Sequence, residues 1–191
     1  ADVGAAEMTR WIDAIPAGSE VSLYVHVPFC RRLCWFCACR TQGTSNMDTV
    51  RLYLDTLRTE IALLKAHLPA GVRLSRLHWG GGTPTLMDAA LMEELAEALF
   101  DAAPLAEGGE FSVEIDPNEI DESRLDALAR IGMTRASIGI QDFDPEIQET
   151  IGRIQGYDVT KSVADALRAR GIDSLNADIL YGLPYQTNAR I

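Results

Sequence analysis

Outside one short segment the chain has no cysteine: all four, Cys30, Cys34, Cys37 and Cys39, fall within residues 30–39. A disulfide framework stapling distant elements together is thereby excluded. No apolar run reaches the roughly 18 residues that cross a bilayer as a helix. The first residues, ADVGAAEMTRWIDAIPAG, lack a basic start followed by an apolar stretch, so they do not read as a secretory signal. The expected compartment is the cytoplasm, where thiols stay reduced. An excess of positive charge is lacking too. The net charge is −11, which argues against non-specific binding to nucleic acid or to anionic membranes. There is no internal repeat, low-complexity tract or interdomain linker. With 191 residues, 47% of them hydrophobic, the chain is long enough for one domain with a real core and too short for two ordinary ones.

The cysteines read Cys-x3-Cys-x2-Cys-x-Cys in YVHVPFCRRLCWFCACR. Bringing three or four thiolates to one point is what an iron–sulfur cluster needs. The spacing differs from the paired Cys-x2-Cys knuckles of zinc sites. It predicts a three-thiolate [4Fe–4S] site with one iron left open to a small molecule. Zinc binding and an inert thiol patch are the alternatives. Arg31, Arg32 and Arg40 form either a basic rim beside the cysteines or ordinary solvated charges.

Hydrophobic periodicity divides the rest into alternating elements. A leader, residues 1–20, carries a short helix from Glu7 to Ile15 that stops at Pro16-Ala17-Gly18. VSLYVHV is a strand running into the cysteines. Val50, Tyr53/Leu54, Leu57, Ile61, Leu64 and Leu68 recur at the helical period, with Asp48 as N-cap. Strands are predicted over Leu74–Trp79, Glu110–Ile115, Thr134–Ile140 and Asp173–Leu180. Helices are predicted to start at Asp88, Asp121, Asp144-Pro145 and Asp158, the last stopped by Gly171. Such alternation implies an α/β fold with parallel strands and right-handed crossovers. Five strands cannot close an eight-stranded barrel, so the expectation is an open sheet or a partial (βα) barrel.

The unusual polar residues fall where these strands end. The first strand enters the cysteines, the second ends in Gly80-Gly81-Gly82-Thr83-Pro84, and the third carries Glu114. The fourth ends at Gln141 and the fifth at Asp178. The C-terminal ends of parallel strands share one rim, so this placement predicts one composite site. Glu114 could instead point to solvent, and Gln141 and Asp178 could be turn residues. The glycines permit close backbone approach to a ligand. His26 and His78 read as hydrogen-bonded structural residues rather than ligands.

Cys-x3-Cys-x-aromatic-Cys, with Phe36 as the aromatic, resembles the radical S-adenosylmethionine family. With LHWGGGTPTL, FSVEIDP, ASIGIQDF and NADILYGLPYQT in order over about residues 20–187, the chain resembles its oxygen-independent coproporphyrinogen III oxidase (coproporphyrinogen dehydrogenase) branch. Trp35, where Tyr is frequent, and Gly152, where Asn is frequent, depart from that pattern. The resemblance implies that Cys30, Cys34 and Cys37 hold a [4Fe–4S] cluster whose open iron is chelated by S-adenosylmethionine. It implies radical-initiated decarboxylation of two propionates of coproporphyrinogen III to vinyl groups, a step of haem biosynthesis. By resemblance Tyr24, Gly81 and Glu114 contact a first S-adenosylmethionine. Phe36, Gly82, Thr83, Gln141, Arg153 and Asp178 line a second. Cys39, held off the open iron, is the candidate catalytic thiol, or else a small buried residue. Cys39 also argues against the alternative, a haem-binding chaperone on the same scaffold. The implied partners are the porphyrinogen and a separate electron donor, for a monomer that binds neither nucleic acid nor membrane. Residues 21–191 would be the core domain. The family continues beyond Gln186 and Thr187, so the resemblance implies an N-terminal fragment with an incomplete core and doubtful activity alone.

Overall fold

The computed structural model describes residues 3–189. Five strands make the main sheet: β1 (Glu20–Val27), β4 (Arg73–Gly81), β5 (Leu105–Ile115), β6 (Arg135–Gln141) and β7 (Ser174–Ile179). They lie in that spatial order and every neighbouring pair is parallel. The expected parallel α/β architecture is therefore present. A second, two-stranded parallel ladder joins β2 (Phe29–Cys30) to β3 (Gln42–Gly43). Nothing in the hydrophobic pattern foretold it, because two-residue strands carry no period.

The sheet is two-faced. Val25 and Val27, Leu77 and Trp79, Phe111, Val113 and Ile115, and Ala136 and Ile138 are buried. They pack in one cluster with the apolar stripes of α2 (Met47–His67), α3 (Ala89–Ala102), α4 (Glu122–Arg130) and α6 (Tyr157–Ala169). Trp79 and Phe111 meet edge to face at 5.0 Å in its middle. The intervening positions present Tyr24 and His26, His78, Ser112 and Glu114, Ser137, and Asn176 and Asp178 to the other face. Period-two alternation thus separates a helix-covered apolar face from a polar one.

Boundaries shift where local bonds decide them. The first helix, α1 (Ala5–Asp13), starts and stops two residues before its expected limits, because the Gly4 amide donates to the Glu7 carboxylate at 3.1 Å and closes the first turn there. Asp48 does not cap α2. Asn46 does, its side chain accepting from the Asp48 amide at 2.9 Å. Asp88, Asp121 and Asp144 cap α3, α4 and α5 (Pro145–Thr150) as expected. The last long helix begins after Gly156 rather than at Asp158. Asn46→Ala should therefore lower stability by about 1 kcal/mol, whereas Asp48→Ala should cost less. Urea denaturation of the two variants checks this.

Candidate cluster and cofactor site

The cysteine segment is a loop closed at its base. The Gln42 amide donates to the Pro28 carbonyl and the Thr44 amide to the Cys30 carbonyl, each at 2.8 Å. At mid-loop the Trp35 amide donates to the Ile151 carbonyl at 3.0 Å. Near the far end, His26 Nε2 lies 2.8 Å from the Arg40 carbonyl. A carbonyl only accepts, so Nε2 carries the proton. In the neutral ring Nδ1 then accepts from the Tyr24 hydroxyl, 2.9 Å away. His26 is thus a tether between strand and loop, consistent with its reading as a structural histidine.

Between this loop and the C-terminal rim of the sheet lies a cleft of about 670 Å³. That is within the size range of small-molecule sites. Cys30, Cys34, Phe36, Cys37 and Cys39 line it from the loop; Gly81, Gly82 and Thr83 line it from the end of β4. Glu114, Gln141, Arg153 and Asp178 line it from the following strand ends and the α5–α6 connection. Tyr24 is not among the lining residues. It lies one layer behind, its ring stacked on His78 at 5.6 Å. The cleft is also lined by Asp116, Ser137 and Gly139, which sequence reasoning did not single out. Counting in twos from Glu114 and from Gln141 would have found all three.

The two rim carboxylates are held from behind. Glu114 Oε2 accepts from the Gly81 amide at 3.0 Å, and Oε1 from His78 Nε2 at 3.3 Å. His78 Nδ1 in turn meets the Ser112 hydroxyl at 2.6 Å. Asp178 accepts from the Ser137 hydroxyl at 3.0 Å and the Asn176 amide at 2.8 Å. Gln141 adopts φ 71°, a left-handed backbone uncommon for a residue other than glycine, at an irregularity between β6 and β7. Such conformations concentrate at functional sites.

The thiols differ electrostatically. Burial pushes the Cys30 thiol up, and neighbouring Cys37 and Cys34 add to this against a Thr83 hydrogen bond that pulls it down. Cys39, on an exposed residue, is raised by partial desolvation and then by Cys37. Among the described residues no group of three His, Cys, Asp or Glu side chains is already drawn together as a metal site. The donor chemistry nevertheless fits an iron–sulfur cluster: all four thiols open into one cleft, on a loop fixed at both ends. Arg153 Nη1, 3.9 Å from the Cys34 sulfur, supplies a cation beside them.

A parallel sheet that carries a three-cysteine loop on its C-terminal rim defines a radical S-adenosylmethionine protein. Residues 24–191 match the radical SAM superfamily, and the chain belongs to it. Membership implies a [4Fe–4S] cluster and S-adenosylmethionine. The chain is 66% identical over 189 residues to the oxygen-independent coproporphyrinogen III oxidase of Paracoccus denitrificans, covering 99% of this chain and 42% of that protein. It is 62% identical over 177 residues to the same-named protein of Cereibacter sphaeroides, covering 93% and 39%. Among solved structures it resembles the Escherichia coli coproporphyrinogen III oxidase HemN, a radical SAM enzyme, with TM-score 0.92 and 37% identity. That superposition covers 98% of this chain and 43% of the other. The chain thus spans about two fifths of the length of the curated relatives it matches. No helix among the described residues is long and apolar enough to cross a membrane.

Proposed function

We propose that this chain is the cofactor-binding core of an oxygen-independent coproporphyrinogen III oxidase, an oxidoreductase of haem biosynthesis. The observation that carries the proposal is the convergence of all four thiols and the strand-end residues on one cleft, in a chain two-thirds identical to proteins of that name. Cys30, Cys34 and Cys37 would hold the [4Fe–4S] cluster. Reductive cleavage of S-adenosylmethionine is the chemistry the bound cluster would supply, and it would initiate loss of CO2 from two propionates of coproporphyrinogen III to give protoporphyrinogen IX. Glu114, its carboxylate already aligned by the Gly81 amide, can accept from the ammonium group of a first S-adenosylmethionine. Tyr24, behind it, would complete that subsite through His78. A second S-adenosylmethionine would lie against Phe36, Gly82, Thr83 and Gln141. Asp178 can accept there from ribose hydroxyls and Arg153 can pair with a carboxylate. Cys39 faces the same cleft and can serve the reacting substrate without ligating iron. An external one-electron donor would reduce the cluster, and an electron acceptor would take the electron released as each substrate radical loses CO2.

The test uses the full-length protein that contains this chain. Anaerobic reconstitution should give about four irons per chain, and S-adenosylmethionine should change the electron paramagnetic resonance spectrum of the reduced cluster. Coproporphyrinogen III should be converted, with two CO2 released per product. A cluster indifferent to S-adenosylmethionine would overturn the radical-enzyme reading. Stoichiometric haem binding with no conversion would replace it by the chaperone reading.

A further inference from the structure

Arg153 lines the cleft, and one of its restraints, Gln155, lies behind it. Nη2 donates to the Gly139 carbonyl at 3.0 Å and to Oε1 of Gln155 at 3.1 Å. Nη2 is also 3.5 Å from the Asp116 carboxylate. Nε is buried without a partner among the described residues. Gln155 is only 1% exposed and does not line the cleft. Its whole amide is engaged: Nε2 donates to the Gly139 carbonyl at 2.9 Å and to the Thr160 hydroxyl at 3.0 Å, while Oε1 accepts from Arg153. Gln148 clamps the Gln155 backbone from both sides, accepting from its amide at 2.9 Å and donating to its carbonyl at 2.6 Å.

This network permits one orientation. Flipping the Gln155 amide would turn its NH2 group against the guanidinium, donor to donor, and its oxygen against the Gly139 carbonyl, acceptor to acceptor. Without Oε1, Nη2 would keep only the Gly139 carbonyl and the longer contact to Asp116. The guanidinium would then be free to close from 3.5 Å to a tight ion pair with Asp116, which lines the same cleft, and so be spent there rather than on a ligand.

We infer that Gln155 is a positioning residue, which fixes the Arg153 guanidinium beside Cys34 and keeps its 3.5 Å contact with Asp116 from tightening. The inference rests on the reading of Arg153 as the partner of an S-adenosylmethionine carboxylate. Two measurements separate the two claims. The first uses protein without cluster, labelled with 15N-arginine. Its buried Arg153 Nε–H should exchange slowly with solvent, and Gln155→Met should speed that exchange at least about tenfold while the α6 amides keep their protection. The second is equilibrium dialysis of S-adenosylmethionine against protein with reconstituted cluster. Gln155→Met should weaken binding about tenfold, the scale of one lost charge-assisted bond, and should add nothing when Arg153→Met is already present. Unchanged Nε–H exchange in Gln155→Met overturns the positioning role, as does weakened binding that persists in the Arg153→Met background. If Arg153→Met alone leaves binding untouched, the carboxylate reading falls, and the exchange result still decides the positioning. Should Gln155→Met fail to fold, Thr160→Val removes one anchor of the amide. It should speed the same exchange by a smaller factor, and no change there also overturns the role.

Discussion

Cys30→Ala, Cys34→Ala and Cys37→Ala should each abolish the [4Fe–4S] cluster, while Cys39→Ala should leave it assembled and impair porphyrinogen turnover in the full-length protein. Coordination number gives the reason. A site meant to chelate S-adenosylmethionine needs one iron without a thiolate, so only three of the four thiols would ligate. The loop does not depend on these side chains for its shape. The bonds Gln42 to Pro28, Thr44 to Cys30 and Trp35 to Ile151 are all backbone to backbone, and alanine keeps them. Cys34 is only partly buried and Cys37 is exposed, so neither leaves a large cavity when truncated. The apo variants should therefore melt close to the parent, and the loss should appear in iron counts and Mössbauer spectra. Loss of the cluster in Cys39→Ala, with Cys30→Ala intact, would reverse the ligand assignment.

What the sequence could reveal follows the length scale of each signal. The helices and main strands declare themselves because their periods run over many residues, as with Val50, Leu54, Leu57 and Ile61 along one side of α2. The rim was legible because parallel topology sends every strand's C-terminal end the same way. The closure of the cysteine loop was not, because it rests on two-residue strands and on single contacts such as His26 to Arg40. Gln155 was equally hidden. A glutamine in a polar stretch gives no sign that its amide is buried, since burial there is set by residues as distant as Gly139. The glycines were legible as a motif but for an incomplete reason. Close approach to a ligand was expected, and each glycine is also pressed against a protein neighbour. A Cβ on Gly80 would meet Glu114 and His78 side-chain atoms at 2.8 Å. One on Gly81, at φ 110°, would meet the His26 ring at 2.6 Å.

Gly82→Ala should be strongly damaging, for a reason the other two glycines do not share. Its Cβ would meet the carbonyl oxygen of Phe29 at 2.5 Å and the Phe29 nitrogen at 2.8 Å. These are backbone atoms, and they cannot rotate aside. Retreat is blocked from both directions. The Gly82 amide donates to the Val27 carbonyl at 2.8 Å and the Thr83 amide to the Phe29 carbonyl at 2.7 Å, so the two segments are laced together on either side of the contact. Phe29 is itself buried and meets Tyr53 edge to face at 5.4 Å. Relief therefore requires β2 to move, and Cys30 with it. Overpacking of this kind costs about 3 kcal/mol, or roughly 6–12 °C in melting temperature for a domain of this size. The melt should be made on protein without cluster, so that loss of iron cannot be the cause. Gly80→Ala provides the contrast. Its neighbours are side-chain ends that can swing, so stability should fall far less, while S-adenosylmethionine binding is lost as Glu114 is pushed off the Gly81 amide. If apo Gly82→Ala melts within a degree or two of the parent, the backbone contact is not the constraint that places Cys30 at the cleft.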